Sequence, residues 1–244
     1  MSLSNVAIIG AGYVGSATRK IFPEAFLYDN TPKEGLKLAS REEINQNCEL
    51  AINCVPTPPK VSEDEFAPAD IKIVEEAVAW LKTPLILIKS TVPPGTTEAL
   101  AKKYSKNICF SPEYIGEGKY QITPWKYMSP SDPRLHDFLI IGGEKDIREK
   151  VANIFLRRLG PEKFYYLVDA VEAEIIKYMD NAWGALKVIF TNEFYHLCQA
   201  YGASYTAVRE GLLLDNRIER MHTAVFVDEP GVTGPMGDDA QRTG

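Results

Sequence analysis

Basic surplus is what this chain most clearly lacks. It carries 27 Lys and Arg against 33 Asp and Glu, a net charge of −6. Nucleic-acid binding needs clustered positive charge, and the doublets Arg19-Lys20, Lys102-Lys103 and Arg157-Arg158 are scattered, as on solvated helix faces. No nucleic-acid partner is expected. Long hydrophobic runs are missing too: nothing reaches the ~18 consecutive apolar residues of a membrane span. The N-terminus enters a strand-like run almost at once, with no basic segment leading into an apolar signal core. These absences set the expectation of a cytoplasmic protein without membrane contact. Cysteine is sparse. Cys48, Cys54, Cys109 and Cys198 form no C-x-x-C pair and stand at no metal-ligand spacing from a histidine. The expectation is reduced thiols, with neither a disulfide framework nor a metal site. Internal repeats and low-complexity tracts are also absent.

What is present alternates. With 45% of 244 residues hydrophobic, there is material for one large domain or two small ones, at roughly 100–200 residues each. Apolar strand-like runs occur at 5–9, 25–28, 50–55, 85–88, 107–110 and 138–141. The third is stopped by Pro56-Thr57-Pro58-Pro59. Between them lie helical stretches at 13–21 and 146–159, and one entered through Asp70 as N-cap with a stripe of Ile71, Val74, Ala77, Val78 and Leu81. Strands that are apolar throughout and separated by helices imply a parallel sheet covered on both faces.

Near Asp169 the pattern changes. Residues 169 to about 200 suit one helix with an apolar face of Ile175, Met179, Ala182, Leu186, Ile189 and Leu197. At ~1.5 Å per residue it would exceed about 40 Å, too long for a crossover helix and suited to a spine between domains or subunits. Gly202 ends it, residues 205–214 read as a further helix, and 228–244 as a Gly/Pro/Asp-rich loop or tail. The expected architecture is α/β: a Rossmann-type doubly wound parallel sheet over 1–168, then a central helical region over 169–244. Trp183, Phe190 and Phe194 add apolar surface to the long helix, which points to a homodimer joined there; an entirely intramolecular core helix is the alternative.

Gly10-Ala11-Gly12-Tyr13-Val14-Gly15 fits G-x-G-x-x-G. The pattern gains weight from its context, because it follows an apolar strand, opens a helix, and precedes Asp29 at the close of the next strand. The glycines permit a tight turn, close approach of a pyrophosphate, and close helix–strand packing. The helix start offers N–H groups to the phosphates. Asp29 would accept hydrogen bonds from the adenosine ribose, with Asn30 beside it, and its charge repels a 2′-phosphate. NAD is therefore expected in preference to NADP.

Further motifs follow in order: Cys54-Val55-Pro56-Thr57-Pro58, Lys89-Ser90-Thr91-Val92-Pro93-Pro94-Gly95-Thr96-Thr97, and Ser111-Pro112-Glu113-Tyr114-Ile115-Gly116-Glu117-Gly118. Then come Ala173-Glu174-Ile175-Ile176-Lys177-Tyr178-Met179-Asp180-Asn181-Ala182, Asn192-Glu193, and Asp215-Asn216-Arg217-Ile218. As an ordered set covering roughly the first 220 residues, they resemble the UDP-glucose/GDP-mannose dehydrogenase family. That family oxidises the C6 alcohol of a nucleotide sugar to a carboxylate with two NAD. The resemblance implies that Val55, Pro56, Thr57, Ser90 and Thr91 line the cofactor beside the glycine loop. It implies that Thr91, Glu113 and Glu117 surround the nicotinamide and reacting sugar, and that Tyr114, Ile115 and Arg217 contact substrate, Arg217 in the neighbouring subunit. Lys177 and Asn181 lie four apart on one helical face, which Gly184 continues with room for a ligand. In the resemblance they are the catalytic pair: Lys177 stabilises the developing alkoxide and Asn181 fixes the reacting oxygen or a water.

Two departures are expected to matter. The family continues into a second α/β domain that holds the nucleotide, which this sequence does not reach. Its catalytic cysteine belongs in a Gly-rich loop, where Gly231-Val232-Thr233-Gly234-Pro235-Met236-Gly237-Asp238-Asp239-Ala240 stands and Met236 occupies the cysteine slot. A thioether forms no thiohemiacetal. The expectation is an NAD-dependent oxidoreductase acting on a sugar-like alcohol that does not complete the four-electron oxidation. A two-electron hydroxyacid-type dehydrogenase and a non-catalytic NAD-binding homologue stay open as alternatives.

Overall fold

The computed structural model describes residues 5–58, 69–115 and 132–225. The expectations at Glu117, Met236 and the tail from 228 lie outside them. The chain divides into two compact units, Met1–Lys177 and Tyr178–Gly244.

Short apolar runs make the strands of the first unit: β1 (Val6–Ile9), β2 (Phe26–Tyr28), β3 (Leu50–Asn53), β4 (Leu85–Ile88), β5 (Ile108–Phe110), β6 (Phe138–Gly142) and β7 (Phe164–Val168). They form one sheet in the order β2-β1-β3-β4-β5-β6-β7. The first five run parallel, with Ile9 beside Tyr28 and Asn53, Asn53 beside Ile88, and Ile88 beside Phe110. Their carboxyl ends therefore finish level. Every residue of β1, β3, β4 and β5 is buried, as a sheet covered on both faces demands.

The cover is supplied by α1 (Tyr13–Ile21), α2 (Arg41–Asn47), α3 (Lys72–Trp80), α4 (Thr96–Tyr104) and α5 (Lys145–Leu159). Ile8, Ile52 and Leu87 point to one face, where Phe22 and Phe155 meet edge to face at 5.2 Å. Ile9, Ala51, Ile86 and Ile88 point to the other, against Ile44, Val74, Val78 and Leu100. The Rossmann-type α/β reading holds, with differences in detail. The β5–β6 pairing is antiparallel, bridged at Phe110 and Gly142; strand direction leaves no trace in a uniformly apolar run. The unforeseen β7 keeps Phe164 and Tyr166 exposed, as an edge strand can. The unforeseen α2 buries only Ile44 and starts from a capping box, with the Ser40 hydroxyl accepting from Glu43 N and the Glu43 carboxylate from Ser40 N. Asp70 is not the N-cap of α3. Ile71 holds that position, and the Asp70 carboxylate accepts from Lys72 N at 3.0 Å.

The long helix, α6 (Ala170–Ala200), has the expected extent, and α7 (Tyr205–Leu212) follows in the second unit. Gly202, at φ +64, ends α6 as the left-handed residue after it. The apolar stripe is present and stays exposed, and a different face is buried. Ile175, Met179, Leu186, Ile189 and Leu197 are exposed, Met179 at 74%, whereas Ala173, Glu174, Thr191 and Cys198 are buried. Periodicity reports which residues are apolar, but cover follows close approach: a Cβ on Gly142 would come within 2.5 Å of the Ala173 Cβ.

Glu174 is fully buried and makes the main polar tie of α6 within the first unit. Its carboxylate accepts from Gly95 N at 2.5 Å, from Thr97 N at 2.8 Å and from the Thr97 hydroxyl at 2.6 Å. These are donors at the start of α4, whose own N-cap, Gly95, offers no side chain. Burial raises the proton affinity of Glu174, against the three donors, which lower it. Glu174→Ala leaves those donors buried without an acceptor and is expected to cost roughly 2–4 kcal/mol, with Glu174→Gln intermediate because it keeps one acceptor. Urea unfolding of the variants measures this.

All four cysteines are free and buried. Burial pushes the thiols of Cys54 and Cys109 up to about 12 and that of Cys48 to about 11. Reaction with a thiol reagent requires thiolate, so native protein at pH 8 should leave these three unlabelled, and all four should react once unfolded. Prompt native labelling of Cys54, traced by mass, would contradict this assignment.

Candidate active site

The glycine turn is built by contacts that exclude side chains. Gly10 has φ +98, and a Cβ there would stand 2.8 Å from the Cys54 carbonyl oxygen. A Cβ on Gly15 would come within 1.8 Å of the Gly10 carbonyl oxygen, so α1 begins against the turn itself. On Gly12 it would meet nothing within 4 Å. Two glycines are thus required by the protein's own packing, and the middle one opens onto space. Helix α1 has no side-chain cap, which leaves its positive end available to an anion. Tyr13 is exposed and Val14 half-buried on its first turn. The arrangement fits a dinucleotide pyrophosphate.

Asp29 follows β2 directly. One carboxylate oxygen accepts from Ala11 N and the other from Thr31 N, both at 2.8 Å. The group is fixed against the glycine turn and retains lone pairs for ribose hydroxyls. Asn30 is exposed, its side-chain oxygen accepting from the Tyr28 hydroxyl at 2.8 Å.

Beyond β3 and β4 the loops are joined to each other. The Asn53 side chain, fully buried, accepts from Val55 N at 3.3 Å, and the Val55 carbonyl accepts from the Ser90 hydroxyl at 2.6 Å. Pro56 is exposed, while Thr57 and Thr91 are half-buried at the mouth of these loops. Lys89, which sequence reasoning passed over, is buried and donates to the Ser111 hydroxyl at 3.4 Å. It thereby links the β4 and β5 loops; a lysine at the end of an otherwise apolar strand was the available signal. Past β5, the Glu113 carboxylate accepts from Ile115 N. Tyr114 is half-buried and Ile115 buried.

Lys177 reaches this cluster from α6. Its ammonium donates to the Glu113 carbonyl at 2.5 Å and lies 5.2 Å from the centre of the Tyr114 ring. Residues 64 apart in sequence are thus in contact at the carboxyl edge of the sheet.

In the second unit, Asn181 is exposed on α6. The space expected beside Gly184 is taken by the His222 ring, whose Cε1 would stand 3.4 Å from a Cβ placed there. That corrects the ligand-room reading: a histidine ring lies at contact distance on that side of the helix. His222 has φ +63, and burial and the nearby Lys187 lower its proton affinity, against Glu219 and Asp180. Its role could not be read from a lone histidine in a loop. Lys187 pairs with Glu219. Arg217 is widely exposed and is held by Asp215, Nη2 to Oδ2 at 2.6 Å. Among the described residues, no group of three or more His, Cys, Asp or Glu is placed to hold a metal ion, and no helix is long and apolar enough to cross a membrane.

Comparison with known proteins places this geometry. The UDP-glucose/GDP-mannose dehydrogenase family's NAD binding domain matches residues 23–148, and its central domain matches residues 171–236. UDP-glucose 6-dehydrogenase of Rickettsia bellii (strain RML369-C) is 28% identical over 274 residues, covering 94% of this chain and 59% of that protein. UDP-N-acetyl-D-mannosamine dehydrogenase of Pyrococcus horikoshii is 28% identical over 209 residues, covering 81% and 45%. The solved structure of a UDP-glucose dehydrogenase from the hyperthermophilic archaeon Pyrobaculum islandicum superposes with a TM-score of 0.72 at 25% identity, over 91% of this chain and 59% of that one. The chain therefore spans under three fifths of the length of these relatives. The cofactor is NAD, as the matched domain and the glycine turn agree. This chain belongs to the UDP-glucose/GDP-mannose dehydrogenase family.

Proposed function

We propose that the chain carries the NAD-dependent oxidation of a CH–OH group on a nucleotide sugar, and that it performs the first two-electron step. The observation that carries this is the contact of Lys177 with the Glu113 carbonyl, which joins the α6 motif to the β5 motif beside the cofactor loops. Bound NAD supplies the hydride acceptor. Gly10, Gly12, Gly15, Tyr13 and Val14 hold the pyrophosphate, Asp29 and Asn30 the adenosine ribose, and Val55, Pro56, Thr57, Ser90 and Thr91 the path to the nicotinamide. Lys177 stabilises the alkoxide as the hydroxyl proton leaves to water and hydride leaves carbon. Asn181, Thr91, Glu113 and Glu117 orient the reacting carbon and oxygen. Tyr114, Ile115 and Arg217 contact the rest of the sugar nucleotide. The product of this step is an aldehyde.

Support for stopping there is residue 236. The second oxidation by the family route needs a thiolate to capture the aldehyde, and Met236 stands in that slot. Nor do the four cysteines supply a substitute, since all are buried. Incubation with NAD and a panel of nucleotide sugars and hydroxyacids, with products identified by mass, is expected to give one NADH per sugar and an aldehyde. A uronic acid at two NADH per sugar would defeat the reading, and reduction with hydroxyacids alone would favour the hydroxyacid alternative. No turnover with NAD bound would favour the non-catalytic one. Lys177→Ala should lower turnover by about 10²–10⁴-fold while leaving NAD affinity unchanged.

The functional form in this reading is a homodimer formed by a second copy on α6. Trp183, Leu186, Ile189, Phe190 and Phe194 are each between 42% and 61% exposed, and so large an apolar face on one helix calls for cover. Sedimentation at micromolar concentration should give a dimer, and Phe190→Glu a monomer; a monomeric wild type removes the idea.

A further inference from the structure

The two edges of the sheet are finished differently. At β2, the Tyr28 carbonyl accepts from Gly10 N at 2.8 Å, so the backbone of Leu27 faces away from β1. Its carbonyl accepts from Ala39 N at 2.7 Å, and the chain thus covers that edge itself. At the other edge, β7 pairs only with β6. Phe164 N donates to the Asp137 carbonyl at 2.9 Å, and Gly143 N to the Val168 carbonyl at 3.1 Å. In a parallel ladder that alternation commits residues 164, 166 and 168 to β6 and turns the N–H and C=O of Tyr165 and Leu167 outward. Among the described residues, nothing bonds to those outward groups.

An open strand edge is a template for another strand, and proteins blunt such edges with proline, charge or a bulge. From Phe164 to Val168, β7 contains no proline and no charge, and it keeps an unbroken register with β6. Its aromatic rings are presented as well. Phe164 is 67% and Tyr166 45% exposed, and the two stack with centroids 5.9 Å apart. Charge of opposite sign marks the two ends, Lys163 before the strand and Asp169 after it. The Lys163 ammonium donates to the Arg134 carbonyl at 2.7 Å. The Asp169 side chain is 70% exposed while it pairs with Arg148.

We propose that β7 is an interface for a second copy of this chain, whose own β7 adds antiparallel across a two-fold axis at Tyr166. In that register the strand overlaps its copy along its full length. Tyr165 and Leu167 exchange backbone bonds with Leu167 and Tyr165 of the second copy, which satisfies the outward groups of both. Tyr166 stands opposite its own copy, and each Phe164 lies on the diagonal, within reach of the facing tyrosine. The exposed rings of both copies close into one cluster. At either end Lys163 stands opposite Asp169, a favourable cross-strand pair. Moving the axis to Tyr165 would set Val168 against Glu162, and moving it to Leu167 would set Phe164 against Ala170, already in α6. A single five-residue edge falls short of the roughly 1,600 Å² of a stable interface, so the association is weak and concentration-dependent. It uses residues other than the α6 face and does not depend on the reaction proposed above.

Cysteine cross-linking of the full chain at high micromolar concentration reads the register. The four native thiols are buried, so an introduced thiol is the accessible one. With diamide as the two-electron oxidant, Tyr166→Cys should give a disulfide-linked dimer, its Cα atoms meeting at about 4.5 Å. Phe164→Cys, about 14 Å from its copy in this register, should give at least about 10-fold less. The same contrast should persist with Phe190→Glu, where α6 no longer joins the copies. Tyr166→Lys places like charges on the axis and should abolish the rise in sedimentation with concentration that Phe190→Glu alone retains. Both replaced side chains are exposed, and circular dichroism matching the parent establishes that each variant is folded. Equal cross-linking from the two positions, none from 166, or a cross-link that vanishes with Phe190→Glu overturns the proposal. Self-association unchanged by Tyr166→Lys does the same.

Discussion

Three donors at the start of α4, the N–H groups of Gly95 and Thr97 and the Thr97 hydroxyl, converge on one buried carboxylate of α6. That contact constrains the rest of the site. Glu174 is one turn before Lys177, so anchoring it sets both the rotation and the height of the helix at the lysine. The segment it grips is the end of the motif that begins with Lys89, Ser90 and Thr91. A single charge, too costly to leave unpaired in the interior, therefore couples the placement of the α6 lysine to the loop after β4. With the helix held there, the Lys177 ammonium meets the Glu113 carbonyl on the loop after β5.

At the cofactor end the constraint is steric. Gly10 and Gly15 are pressed against carbonyl oxygens of the chain itself, and that proximity brings β1, the β3 loop and α1 together without side chains between them. The level register of the five parallel strands then puts the motif-bearing loops after β1, β3, β4 and β5 on one edge. Ties between neighbouring loops, Val55 to Ser90 and Lys89 to Ser111, make that edge a continuous rim. The second unit has a different character. Its polar contacts tie the segment 215–223 both to α6, as in Lys187 with Glu219, and to α7, as in Arg220 with Glu210, while much of the apolar surface of α6 stays exposed.

Much of this was legible in the residue order, for identifiable reasons. The strands β1, β4 and β5 are apolar at every position and β3 at every position but its last, Asn53, as strands buried on both faces require. The glycine turn announced itself through spacing and through Asp29 at the next strand end. Length alone marked α6. By contrast, α2 has one buried residue, and its capping box was the only local sign of it. The edge strand β7 alternates exposed and half-buried aromatics, which periodicity does not separate from loop. The buried face of α6 was not legible because its contacts are made by small and polar residues, Ala173, Glu174 and Thr191, which no hydrophobic stripe reveals.

The sequence by itself determined the alternation of strand and helix, the glycine turn, the length of the long helix and the ordered motifs of the family, because these rest on local spacing and residue type. Only the tertiary structure decided the direction of β6, the face α6 buries, the burial of Lys89, and the ring of His222 in the space beside Gly184. Each of these depends on which distant segment arrives to supply a partner. A residue's chemistry states what it can bond to, and the packing of segments tens of residues apart selects which of those bonds is made.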